Sequence, residues 1–158
     1  MKSLNFEKET NEEIVAIRIQ IDKEFKKRGI KFNVGDIGEL LAIKYFNDTP
    51  GLSNLQKAPT GTKNVDALSR NGERYSIKTI KDGNKTGTVY PDNTNKEKQL
   101  FEYLLLVQID DDYKIISLHR FSWEQFNKIK QWDKTMNAWY ISKSNKALGQ
   151  GELIYGGK

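Results

Sequence analysis

The stretch LFEYLLLVQI, residues 100–109, is apolar at nearly every position, with YLLLV at 103–107 its unbroken centre. A segment of that length bounded by turn residues reads as a strand, and a strand apolar on alternate and intervening positions alike is buried on both faces. Such a strand calls for cover above and below the sheet that holds it. The run is far short of a membrane span, and the start MKSLNFEKET lacks the apolar centre of a signal peptide, so no membrane association is expected and the chain is expected in the cytoplasm. At 158 residues it is read as one domain spanning 1–158, large enough to bury a core.

The elements around this strand follow from periodicity and caps. In TNEEIVAIRIQIDKEFKKRG, Thr10 and Glu13 have capping-box spacing, Ile14, Ile17, Ile21 and Phe25 recur at helical period, and Gly29 ends the helix. A second helix opens at Asn33, with Asp36 three residues on, and directs Ile37, Leu40, Leu41 and Phe46 inward. Residues 48–63 read as loop, with an edge strand possible in LSNLQKA. Residues 64–80 form a hairpin around Asn71-Gly72, and 81–99 read as a mobile polar loop with room for one helical turn at its end. DDD at 110–112 is a turn, YKIISLHRF returns antiparallel, and Ser122 with Gln125 caps a third helix. NAWYISKS and ELIYGGK supply one more strand and a frayed end. The expected architecture is α/β, a mixed central sheet flanked by helices.

Composition narrows the chemistry. With no cysteine and one histidine, thiolate zinc sites, iron–sulfur clusters and cysteine nucleophiles are excluded, so a bound metal needs oxygen ligands, which favour Mg²⁺ or Mn²⁺. A formal charge of +5 and a pI near 9.2 point to an anionic partner, nucleic acid first. His119 stands alone at a strand end, and Trp123, Trp132 and Trp139 are read as packing residues.

The hairpin carries the candidate chemistry. A two-residue Asn71-Gly72 loop would put Asp66 and Lys78 on opposite faces. A three-residue loop or bulge turns Asp66, Ser76 and Lys78 to one face and leaves Val65, Ala67, Tyr75 and Ile77 on the core face. The apolar pattern selects the second. Asp66 and Lys78 then form either an exposed cross-strand ion pair or half of a metal site. Glu39 bears on the choice. Its helical neighbours Ala42, Ile43 and Phe46 are apolar, so its carboxylate needs a cation or donor, unless it serves only the helix N-terminus. Gly38 and Ala42, four apart, let this helix approach the sheet closely.

In order and type, GELLA, NVDALSRNGERYSIKT and FEYLLLVQIDDDYKIISLHRF resemble the PD-(D/E)xK superfamily of nucleases, the restriction-endonuclease-like fold, over roughly residues 33–121. The resemblance implies a restriction-endonuclease-like core and a metal-dependent endonuclease acting on DNA phosphodiesters, of restriction or defence type. It implies that Glu39, Asp66 and Lys78 are catalytic, and that Glu39, Asp66 and the Ile77 carbonyl hold Mg²⁺ or Mn²⁺. Ser76 stands where that pattern carries Asp or Glu, which leaves open a catalytically inactive module that binds DNA or a protein. Glu73 is a poorer substitute, being placed at the far end of the hairpin. The crossover after YSIKT shows no convincing amphipathic helix. Lys81, Asn84, Lys85, Thr86 and Tyr90, in the long loop, are the expected DNA contacts, as flexible cations and small donors suit phosphate. A homodimer is also open, since cutting both strands usually needs two active sites.

Overall fold

The structure, a computed structural model, describes residues 3–156. In chain order the elements are α1 (Asn11–Lys27), α2 (Val34–Asp48), β1 (Leu55–Lys57), β2 (Ala67–Ser69), β3 (Arg74–Ile80), β4 (Tyr103–Ile109), β5 (Ile115–Ser122), α3 (Trp123–Ile129), β6 (Gln131–Asp133), β7 (Ala138–Tyr140), α4 (Asn145–Leu148) and β8 (Glu152–Gly156). Six strands make one sheet in the order β1-β2-β3-β4-β5-β8, and β6-β7 form a separate pair. β3 and β4 run parallel, while the other neighbours in the large sheet are antiparallel. This is an α/β architecture with a mixed sheet flanked by helices. Among the described residues no helix is long and apolar enough to cross a membrane.

β4 lies centrally, as its composition requires: Leu104, Leu105, Leu106 and Val107 are all fully buried. One face of the sheet, carrying Tyr75, Ile77, Leu105 and Val107, packs under Ala42 and Phe46 of α2. The other, carrying Ile80, Leu104, Leu106 and Phe121, packs under Phe126 of α3 and under Val89, Phe101 and Ile141. Burying each such large side chain contributes about 1.5–3 kcal/mol.

Caps fix the helix starts. Thr10 and Glu13 bond reciprocally, Asn33 Oδ1 accepts from the Asp36 N–H at 2.8 Å, and Ser122 with Gln125 repeats the reciprocal box. α2 is close to the sheet because Gly38 is buried against Thr79 of β3, where any Cβ would overlap the threonine side chain.

Several sequence expectations change. Leu40 does not point inward; it is exposed on α2. Segment 81–99 contains no helical turn and is not a free loop. Val89 exchanges two backbone hydrogen bonds with Trp139, at 2.7 and 2.9 Å, and Lys143 N–H reaches the Asn84 carbonyl at 2.8 Å. The segment takes the place of a crossover helix by laying Val89 into the second core. The C-terminal stretches divide: β7 pairs with β6 outside the main sheet, and β8 becomes an edge strand beside β5. LQK is the edge strand β1. The frayed end at Gly157 and Lys158 lies outside the described residues.

The two helix-start glycines separate sterics from propensity. A Cβ at Gly35 meets only Asn33 Oδ1 at 3.5 Å, an ordinary contact, so Gly35→Ala should be neutral or stabilise by up to about 1 kcal/mol. Gly38→Ala must lift α2 off β3 and should destabilise by about 1–3 kcal/mol. Paired thermal melts of the two variants check the contrast.

Candidate functional site

The hairpin register is the one the apolar pattern selects. Ala67 faces Tyr75 and Leu68 faces Arg74, the Ser69 N–H bonds the Glu73 carbonyl at 3.0 Å, and the three residues between them turn with Gly72 at φ +82°. Asp66, Ser76 and Lys78 therefore share a parity. Their face is not open to water, because the second core covers it: Ser76 is 1% exposed and its Oγ has no hydrogen-bond partner.

What opens the site is the shortness of β2. Its ladder begins at Ala67, so β3 has no strand partner on that side from Ser76 onward. Asp66 turns into the gap and its Oδ2 accepts the Ile77 N–H at 2.6 Å, where a longer strand would have supplied a carbonyl. The Ile77 carbonyl leaves β3 on the same side as its N–H and faces the same gap. The Asp66 main chain is fixed from both directions: its N–H bonds the Tyr75 carbonyl at 2.8 Å and its carbonyl accepts from Ala58 N–H at 2.9 Å.

Glu39 reaches this gap from above. Gly38 seats the first turns of α2 on Thr79, and the next residue presents its carboxyl group within hydrogen-bonding reach of Asp66. Burial, and then the neighbouring Asp66 and Asp36 charges, push the Glu39 carboxyl up to about 7; Lys57 acts in the opposite direction. Lys78 is partly buried, and desolvation lowers its pKa while Asp66 and Glu39 pull it back up. Glu39 and Asp66 thus share one recess at the edge of β3, while Lys78 feels both charges without an ion pair to either among the described residues and without lining that recess.

The acids line a recess of about 190 Å³ with Lys31, Asp36, Lys57, Thr60 and Thr62. Lys57 and Asp36 were not singled out by sequence reasoning. Asp36 lies one helical turn before Glu39, a spacing readable in the sequence, whereas Lys57 faces Ala67 across the β1–β2 ladder, next to Asp66, a placement that only the edge strand provides. Among the described residues there is no group of three or more Asp, Glu or His side chains placed to hold a metal ion. The donor set is two carboxylates and a main-chain carbonyl. That set fits Mg²⁺, which commonly takes one or two carboxylates and keeps waters for its other positions.

The expected DNA contacts are only partly available. Lys81 Nζ lies 2.7 Å from Asp111 and 3.2 Å from Asp82, and Lys85 Nζ lies 3.0 Å from Asp133. Thr86 is buried, and its Oγ1 accepts the Ile141 N–H at 2.9 Å, so it belongs to the scaffold instead of a phosphate surface. Asn84 and Tyr90 are exposed, and the Tyr90 carbonyl accepts from Asn64 Nδ2, which ties this segment to the residues preceding Asp66. Glu73 bonds the Ser69 hydroxyl at the far end of the hairpin, and His119 is buried with its pKa lowered by desolvation.

A carboxyl group whose pKa is raised by folding binds its proton more tightly in the folded state, so it favours folding at low pH and loses that contribution as pH rises through about 7. Without divalent cations, Glu39→Gln should raise Tm at pH 8 by roughly 2–4 °C, about 1 kcal/mol, and leave it nearly unchanged at pH 4.5. Melting curves across that range test the sign. Comparison with protein-family models and with curated proteins finds no match for this chain.

Proposed function

We propose that this chain is a metal-dependent endonuclease that hydrolyses phosphodiester bonds in DNA and is built on a restriction-endonuclease-like core. One observation carries the reading: the Glu39 and Asp66 carboxyl groups share one recess at a strand edge that also faces the Ile77 carbonyl, within the electrostatic range of Lys78. Two acids that share half-buried space with their charges only partly offset form a site waiting for a cation. Glu39, Asp66 and the Ile77 carbonyl would hold Mg²⁺ or Mn²⁺, whose chemistry when bound is to polarise a phosphate and lower the pKa of water.

The chain's own residues supply the rest. The Ile77 N–H anchors one oxygen of Asp66, and the other is available to a cation. Glu39 is protonated at the acid end of its range and becomes a full ligand as it ionises near neutrality. Lys78, close to both acids and partly desolvated, is placed to orient a water or to meet charge growing on phosphorus. Lys31 and Lys57 line the recess together with Asp36, Glu39 and Asp66, so a bound divalent cation would be what makes it attract an anionic backbone.

A second reading is favoured by Ser76. The position where the resembled pattern carries an acid holds a buried serine that does not line the recess, which suits an inactive module that binds DNA or a protein. The two readings separate on metal binding followed by turnover. For the nuclease, Mn²⁺ at about 100 times its Kd should stabilise the fold by about 2.7 kcal/mol, and Glu39→Ala or Asp66→Ala should abolish that shift. Supercoiled DNA should be nicked with Mg²⁺ or Mn²⁺, and Asp66→Ala or Lys78→Ala should slow nicking by about 10²–10³-fold or more. A Mn²⁺-dependent shift without nicking favours the binding module. Nicking undiminished by Asp66→Ala contradicts the assignment.

A further inference from the structure

α1 is the one long element that the core does not explain. It runs for 17 residues with none of them buried, although it carries Ile14, Val15, Ile17, Ile19 and Ile21. Its last turn is tied down, where Phe25 packs on Phe32 with ring centroids 6.1 Å apart. Ile14 and Ile21 on that side are 38% and 42% exposed, and the opposite flank is barer still, with Val15 58% and Ile19 50% exposed. A helix of this length is marginal in water without packing, so an apolar flank left in solvent calls for a partner.

The identity of that partner follows from the charges on the same flank. Glu12, Ala16, Ile19, Lys23 and Lys26 follow each other at spacings of four, three, four and three residues, the spacing of a two-helix seam, with only Ala16 and Ile19 apolar and charges on either side of them. The seam is acidic at one end, apolar in the middle and basic at the other. Among the described residues neither Glu12, Lys23 nor Lys26 takes part in an ion pair, while Arg18 and Arg28 are each bonded within the helix, to Asp22 and Glu24. Turned over on itself, the seam is its own complement: Glu12 meets Lys23 of the second copy, Ala16 meets Ile19, and both contacts recur by symmetry. Ala16 lets the helices come close at the centre. The surrounding sequence carries the same asymmetry, with four glutamates against one lysine in residues 7–13 and five basic residues against two acids in 22–31.

We propose that α1 is a self-association surface, on which two copies of this chain pair through antiparallel α1 helices related by a twofold axis. With one helix from each copy the interface is small, so association is reversible and depends on concentration and salt. This inference does not rest on the metal site and stands or falls separately from it.

Acid at a helix start and base at its end also suit the helix dipole, so the test must set pairing against dipole. Sedimentation velocity over a concentration series should show wild type moving from the 18.2 kDa monomer to twice that mass. Ile19→Asp should abolish the dimer while circular dichroism and Tm report an intact fold, since Ile19 is exposed. Glu12→Lys and Lys23→Glu should each weaken self-association about tenfold or more, and an equimolar mixture of the two chains should form a heterodimer. The doubly reversed chain should dimerise again, whereas a dipole role alone would make it the least helical of the set. A wild type that stays monomeric throughout, a dimer indifferent to Ile19→Asp, or single-reversal chains that fail to combine would overturn the proposal.

Discussion

The first strand of the hairpin is too short for its partner, and the Ile77 N–H it leaves behind is taken by the Asp66 carboxylate at 2.6 Å. An unpaired N–H at a buried strand edge costs the desolvation of that group, so this bond holds the edge of β3 together. It also determines where the chemistry can be. The side chain that closes the ladder cannot swing out to solvent, and the gap it fills is the place where the first turns of α2 descend on the sheet. A β2 extended by two residues would have left neither the gap nor the carboxylate in it.

Two opposing effects meet there. Gly38 against Thr79 brings α2 within contact of β3, which buries Ala42 and Phe46 in the first core. The same approach forces Glu39 against Asp66 and pushes its carboxyl up to about 7. Hydrophobic packing of the helix therefore drives an electrostatically unfavourable contact, with Lys78 and Lys57 offsetting it in part. Strain of this kind, concentrated in one recess and supported by well-packed surroundings, is a mark of functional positions in a fold whose other levels agree with one another.

Much of this was legible in the sequence. Thr10 with Glu13, Asn33, and Ser122 with Gln125 mark helix starts because capping chemistry is local, and the structure shows each of those bonds. The alternation of Val65, Ala67, Tyr75 and Ile77 determined the hairpin register against the simpler two-residue turn, since only one register keeps those side chains together. What was not legible is non-local. The polar composition of 81–99 gives no hint that Val89 is buried and bonded to Trp139, because its partner lies some fifty residues on. For the same reason Thr86 looked like a phosphate donor and is instead bonded to Ile141, and Lys81 and Lys85 looked free and are paired with Asp111 and Asp133. Leu40 lies on the flank of α2 turned away from Gly38, Ala42 and Phe46, the residues that the helix buries, so its apolar character alone suggested an inward place it does not have. Glu39 was recognisable from its apolar neighbours, whereas Lys57 depended on the placement of an edge strand three residues long.

The account stands on the Glu39–Asp66 pair as a cation site. The most direct measurement is an anomalous difference map from a crystal of the full chain soaked in Mn²⁺. A single strong peak lying between the two carboxylates, with the Ile77 carbonyl in its coordination sphere, is the predicted result. Manganese bound elsewhere on the surface while Glu39 and Asp66 stay in direct contact would contradict it.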